Sequence, residues 1–207
     1  MLLLSACQST EYDLIIREVM IYDGSGKPAF KGDVAIADDT IAAVGDLSRA
    51  KAHNIIEGNN LALAPGFIDT HSHHDHLLFE ARDALAVVSQ GITTIIVGQD
   101  GSSHYPLKSF YEHLVDTPVA VNVGSYSGHN SLRDLVMGKD FKRTATPDEN
   151  RKMEAMLRED LDAGALGLST GLEYDPGIYS TRDEVLGLAK VLQPYNGRYV
   201  SHMRSED

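Results

Sequence analysis

"GFIDTHSHHDH", residues 66–76, ends a short apolar run in four histidines and two aspartates. Successive side chains of a β-strand face opposite sides, so His71 and His73 point the same way with Cα atoms ~7 Å apart. Two imidazoles at that spacing can reach one metal ion or two adjacent ions. The C-terminal end of an apolar strand is also where the active sites of barrel enzymes sit. His74 and His76 face elsewhere and read as part of a solvated loop.

Upstream of this stretch, residues 12–64 are β-like, with Ile, Val and Tyr clusters separated by Gly, Asp and Asn turn signals. They read as a small β unit. Downstream of Pro65, apolar strands alternate with helical segments, the signature of βα repeats around a parallel sheet. Strands are predicted at 66–70, 93–98, 119–124, 165–170 and 199–202, with helices near 77–89, 107–115, 147–163 and 181–192. Thr146, Pro147, Asp148 and Glu149 supply a cap, a proline at the first helical position and acids in the first turn, and Gly164 supplies the stop. Thr181 with Glu184 three residues on predicts a capping box for the next helix. Five such units suggest a barrel or a doubly wound sheet. A (β/α)8 barrel takes about 250 residues, so the stretch after Pro65 has room for about five of its eight strands.

With 43% hydrophobic residues the 207-residue chain can build a core, and its formal net charge of -12 argues against nucleic acid as a partner. Nothing in it approaches the ~20 consecutive apolar residues of a membrane-spanning helix. The lone cysteine, Cys7, follows "MLLLSA". Leu4-Ser5-Ala6 before it resembles the lipobox of bacterial lipoproteins, in which the cysteine carries lipid. Residues 1–11 are accordingly expected to be a signal segment and linker, and the protein a lipid-anchored one of the bacterial periplasm or cell surface.

Two further strand ends carry ligand-type residues. Asp100 closes the second strand in "GITTIIVGQDGSS", between Gly98 and Gly101, and His202 closes the fifth in "GRYVSHMRSED". An Asp-Gly pair is also an ordinary turn, and a single strand-end histidine is commonly hydrogen-bonded filler. Three strand ends bearing His, Asp and His together point to a metal site. Zinc accepts imidazole nitrogen and carboxylate oxygen while keeping a position open for water, whose pKa it lowers toward ~7. The reaction class that follows is hydrolysis of an amide or a related bond.

"APGFIDTHSHHD", "GITTIIVGQDG", "GALGLSTGLEYDPG" and "YVSHMRSE" resemble the amidohydrolase superfamily, and within it the D-aminoacylases, or N-acyl-D-amino-acid deacylases. The resemblance runs from about residue 12 to the end. It implies a small β-sandwich portion (12–64) and the N-terminal part of a metal-dependent TIM barrel (65–207). It also implies one or two zinc ions, and a small-molecule N-acyl amino acid as substrate. His71 and His73 match its first-strand ligands, His202 its fifth-strand ligand, and Tyr174 a tyrosine near the substrate. Arg204 and Glu206 match residues expected to support the metal strand, and His129 a histidine without an assigned role. Asp100 stands where characterised deacylases place a metal-binding cysteine. The family's later histidine ligand and its proton-handling aspartate fall beyond residue 207. The chain is therefore expected to be the front part of a longer enzyme, without turnover by itself.

Two other readings compete. Cyclic amidases of the dihydroorotase or hydantoinase type carry a carboxylated lysine at the fourth strand, where this chain reads "GALGLSTG". A non-catalytic lipoprotein would have no use for His71, His73 and His202.

Overall fold

The computed structural model describes residues 11–205, so Cys7 and Glu206 lie outside the described residues. The chain divides after Pro65 into two compact units.

The first unit is a single mixed sheet of β1 (Glu11–Ile21), β2 (Phe30–Ala37), β3 (Thr40–Gly45), β4 (Lys51–Glu57) and β5 (Ala62–Leu63). The strand order is β3-β2-β1-β4, with β5 pairing the far end of β1. β1 and β2 run antiparallel, β1 and β4 parallel. The β1 register slips between Ile16 and Val19, where Glu18 takes a φ of 51°. Asp33 holds that irregularity by accepting the Glu18 and Leu47 amides at 2.9 Å each. Ile15, Val19, Ile21 and Val34 are buried, and Ile41, Val44, Ile55 and Ile56 are exposed. A sandwich has two layers; the described residues of this unit supply one.

In the second unit, β6 (Phe67–Asp69), β7 (Ile92–Val97), β8 (Asn122–Ser125), β9 (Ser127–Gly128), β10 (Gly167–Gly171) and β11 (Arg198–His202) are parallel. β8 and β9 are two halves of one run around Tyr126. The first half pairs β7 and the second pairs β10. Tyr126 N donates to Val97 O at 3.1 Å, and Leu166 N to Ser125 O at 2.9 Å, so neighbours follow one another in sequence order across the run. β10 is buried along its whole length. Such burial on both faces is normal for a parallel strand covered by helices.

The helices are α1 (Leu85–Val88), α2 (Leu107–Asp116), α3 (His129–Met137), α4 (Pro147–Asp162) and α5 (Arg182–Val191). α4 buries Met153, Leu157, Asp160 and Leu161, the i, i+4, i+7, i+8 stripe of a helix with one face on a core. Met153, Leu157 and Leu161 join Leu132, Leu168, Leu188 and Val191 in one cluster, while Leu78, Val87, Ile95, Val97, Leu107 and Phe110 form a second. The α4 capping box is complete: Thr146 Oγ1 accepts the Glu149 amide, and Glu149 Oε2 accepts the Thr146 amide at 2.7 Å. Thr146→Ala is expected to lower stability by about 1 kcal/mol, read as a lower urea midpoint at unchanged slope.

Two expectations need correction, and one helix was not foreseen. The helix predicted over 77–89 is a pair of hydrogen-bonded turns followed by the four-residue α1. Ala84 has φ 45°, and the break lets Leu78, Ala84 and Val87 all turn inward while Leu85 stays exposed. A continuous helix could not bury that set, because 78 and 84 lie on different faces. The capping box at α5 is only half formed. Thr181 Oγ1 accepts the Glu184 amide at 3.2 Å, but the Glu184 carboxylate turns into the core toward Arg133. The α3 helix was not predicted; Leu132 and Met137 bury its inner face and Gly138 ends it.

Candidate metal centre

The tails of β6 and β7 are tied together around the site residues. Gln99, 2% exposed, donates its Nε2 to Thr70 O at 3.0 Å and to Ile96 O at 3.1 Å, and Ser72 N donates to Ile96 O at 3.0 Å. His71 and His73 thereby follow the bend that ends β6 with both rings facing the tail of β7. Asp100 follows β7 in the left-handed region, with φ 52°, a conformation Asp tolerates better than most side chains. Its neighbours have no choice of residue type. Gly98 has φ 73° and a Cβ there would meet Tyr126 O at 2.3 Å; Gly101 has φ 79° and a Cβ would meet Asn130 Oδ1 at 2.3 Å. The Gly101 peptide is held on both sides, its amide donating to Ser169 Oγ at 3.1 Å and its carbonyl accepting from Ser131 N at 3.1 Å.

These constraints aim the Asp100 carboxylate at three imidazoles. Its Oδ2 lies 3.2 Å from His71 Nε2 and 3.1 Å from His73 Nε2. Its Oδ1 lies 3.8 Å from His202 Nδ1 at the end of β11. Ligand atoms of His71, His73 and Asp100 all fall within 4.8 Å of one another. Two ligands on a tetrahedral ion with bonds of about 2.1 Å stand ~3.4 Å apart, so the donor set fits a zinc-like ion with little adjustment. A carboxylate with one oxygen toward two histidines and the other toward a third can serve one ion or bridge two.

Of the four predicted ligands the structure brings three into a tight group and places His202 against the far oxygen of Asp100. The Tyr174 hydroxyl lies 3.3 Å from His202 Nδ1, beside a cavity of about 470 Å³ whose lining includes His73, Asp100, Ser102, Asn130 and Tyr174. His74 bonds Ser72 Oγ through Nδ1 at 3.0 Å, and His76 is exposed; neither joins the group. Arg204 donates to the carbonyls of Ile178 and Ser180, fastening the segment after β11 to the 177–180 turn. His129 is fully buried and donates Nε2 to Glu184 Oε1 at 2.9 Å, away from the group.

The sequence reading missed Glu173, whose Oε2 lies 2.8 Å from His202 Nε2, although it sits beside Tyr174 in a stretch already singled out. It also missed Asn130, which brackets Gly171 by accepting its amide at 3.3 Å and donating to its carbonyl at 3.0 Å. The next strand of the site is thereby anchored to α3. The β10 strand, reading GLSTG, carries no lysine.

No protein-family model matches the chain. It is 35% identical to the D-aminoacylase of Alcaligenes xylosoxydans, over 98% of this chain and 46% of that protein. It is 39% identical to the N-acyl-D-aspartate deacylase of the same organism, over 94% of this chain and 44% of that protein. The crystal structure of N-acyl-D-glutamate deacylase from Bordetella bronchiseptica, in complex with zinc and a phosphonate inhibitor, superposes with a TM-score of 0.91 at 33% identity. That match covers 95% of this chain and 46% of the other. An L-hydantoinase from Arthrobacter aurescens, at 20% identity and a TM-score of 0.60, shares the fold alone. The chain spans somewhat less than half the length of these two curated relatives, which hydrolyse the amide bonds of N-acyl amino acids. Along nearly all of its own length it is a homologue of the D-aminoacylases and N-acyl-D-amino-acid deacylases, whose solved structures share its fold.

Proposed function

We propose that the chain carries the metal-binding half of a zinc-dependent deacylase, which cleaves the acyl amide bond of N-acyl-D-amino acids to give a carboxylate and a free D-amino acid. In this reading the parallel strands β6 to β11 are the first five strands of a (β/α)8 barrel, and the first unit is part of a β-sandwich. The observation that carries it is the convergence of His71, His73 and Asp100 at the ends of two adjacent strands. Zinc bound there supplies Lewis acidity for the amide carbonyl and a nucleophile from water near neutral pH. His71 and His73 present neutral Nε2 lone pairs, and Asp100 supplies the negative charge that offsets the ion. His202 closes the group from the β11 side. The Tyr174 hydroxyl, at the edge of the cavity, donates a hydrogen bond to the substrate, and Ser102 and Asn130 offer neutral polar groups along the same wall.

The experiment is chiral chromatography of the amino acid released from paired N-acetyl-D- and N-acetyl-L-amino acids. The 207-residue chain alone is expected to release neither, and a protein that joins it to the remaining length of its curated relatives to release the D form only. Release of L-amino acids, or hydrolysis of hydantoin or dihydroorotate instead, overturns the substrate assignment. Release by the 207-residue chain overturns the expectation that it lacks turnover. Lipid attachment at Cys7, with anchoring at the bacterial periplasmic or outer surface, belongs to the same reading. Labelled palmitate is expected in the wild type and not in Cys7→Ser; no label in either removes the anchor.

A further inference from the structure

We infer that Glu173 is a positioning residue of the metal centre, acting through His202. The inference rests on the metal-centre reading above and adds to it the residue that decides which nitrogen of His202 faces the ion.

A neutral imidazole carries one N–H and one lone pair, and an ionised carboxylate can only accept. Glu173 Oε2 stands 2.8 Å from His202 Nε2, so Nε2 is the nitrogen that bears the proton. The lone pair is left on Nδ1, the nitrogen that faces Asp100 Oδ1 at 3.8 Å and the Tyr174 hydroxyl at 3.3 Å. His202 thus offers the opposite nitrogen from His71 and His73, whose Nε2 atoms face Asp100. A carboxylate on the outer nitrogen fixes tautomer and ring orientation, and raises the basicity of the inner one.

Glu173 is held for that task by backbone rather than by its own burial. Gly171 lies in register with His202 across β10 and β11, and Leu172 N donates to His202 O at 2.9 Å. Tyr174 N then returns to Gly171 O at 3.3 Å, closing a turn with Glu173 inside it. Asn130 grips the Gly171 peptide from α3. The Glu173 side chain is 56% exposed, so its replacement leaves no buried hole.

The test is zinc affinity of the 207-residue chain, by competition with a chromophoric chelator, together with the visible spectrum of the cobalt(II)-loaded chain. Glu173→Ala is expected to weaken zinc binding about 10- to 100-fold and to shift the cobalt bands as His202 loses its fixed orientation. Glu173→Gln keeps an oxygen that accepts the Nε2 proton, and is expected to recover most of the affinity and the wild-type band positions. Unchanged affinity and spectrum in Glu173→Ala overturn the inference while leaving the metal centre standing. A Glu173→Gln defect as deep as that of Glu173→Ala also overturns it, because that pattern belongs to a direct carboxylate ligand. A wild-type chain that binds no zinc overturns the metal centre itself, and the inference with it.

Discussion

Asp100→Gly is expected to cost the chain its bound zinc without lowering the stability of the metal-free chain. The two halves of that result separate the roles the residue can have. Asp100 sits at φ 52°, where glycine is at ease and a side chain is strained by roughly 1 kcal/mol or more. If Asp100 served only the turn, glycine would hold the turn as well or better, and metal content would not change. If it is a ligand, glycine removes the single carboxylate oxygen that both His71 and His73 face at 3.1–3.2 Å. Loss of a partner of a ligand costs 10- to 100-fold in metal affinity, and loss of a ligand itself is expected to exceed about 100-fold. Zinc content by mass spectrometry, and the thermal midpoint of both proteins after their metal is stripped with a chelator, give both halves. His71→Ala and His202→Ala should lose zinc alongside it. Zinc retained by Asp100→Gly but lost from the two histidine variants makes Asp100 a turn residue. Asp100→Cys extends the test, since thiolate is the ligand type that the family resemblance places at this position. Cysteine there should restore zinc while retaining the backbone strain that glycine relieves.

How much of this arrangement was readable in advance depends on whether a residue's role is set locally or by a distant partner. The period of two along an extended chain is local, so His71 and His73 could be placed on one side from their spacing alone, and both Nε2 atoms reach one oxygen. The cap of α4 is local too: Thr146, Pro147 and Glu149 interact within a single turn, and the helix begins at Pro147. The Thr181 and Glu184 pair has the same spacing, yet Glu184 abandons the cap because an unshielded arginine lies across from it on α3. No window of sequence around Glu184 contains that information. The apolar run after His76 is similar, since its helical period yields to the need to turn Leu78 and Ala84 both inward. Glu173 depends on registry between β10 and β11, a relation between segments that no spacing within either one reports.

Glu184→Gln should be among the most damaging single changes to the second unit, and its effect should depend on pH. Arg133 Nη1 donates to both Glu184 oxygens at 2.6 and 2.7 Å, His129 adds a bond at 2.9 Å, and all three side chains are at most 1% exposed. Arg133 Nη2 also donates to the carbonyls of Phe141 and Arg143, so α3 is tied to α5 and to the turn before α4. Removing the charge of Glu184 leaves a buried guanidinium uncompensated, which costs about 3–5 kcal/mol and, for a unit of this size, lowers the thermal midpoint by roughly 10 °C. Burial is the largest single influence on the Glu184 carboxyl and raises its pKa. The bonds from His129 and Arg133 and their charges together outweigh it, so the pKa lies below the usual 4.5. A depressed folded pKa means that the contribution is fully present above the unfolded value and is lost as pH falls through the folded one. The wild type should therefore lose stability as pH falls below about 4.5, while Glu184→Gln starts lower at pH 7 and lacks this component of the acid slope. The double change Arg133→Leu with Glu184→Leu separates charge from packing. If the cost is that of an orphaned cation, removing both partners recovers most of it. A deficit of about 1–3 kcal/mol for each group left unpaired remains, because His129 Nε2 then has no acceptor and the Phe141 and Arg143 carbonyls lose the Arg133 donor. A double variant as unstable as the single one would instead assign the loss to cavity and shape, and the pH dependence of the wild type would have to come from other carboxylates.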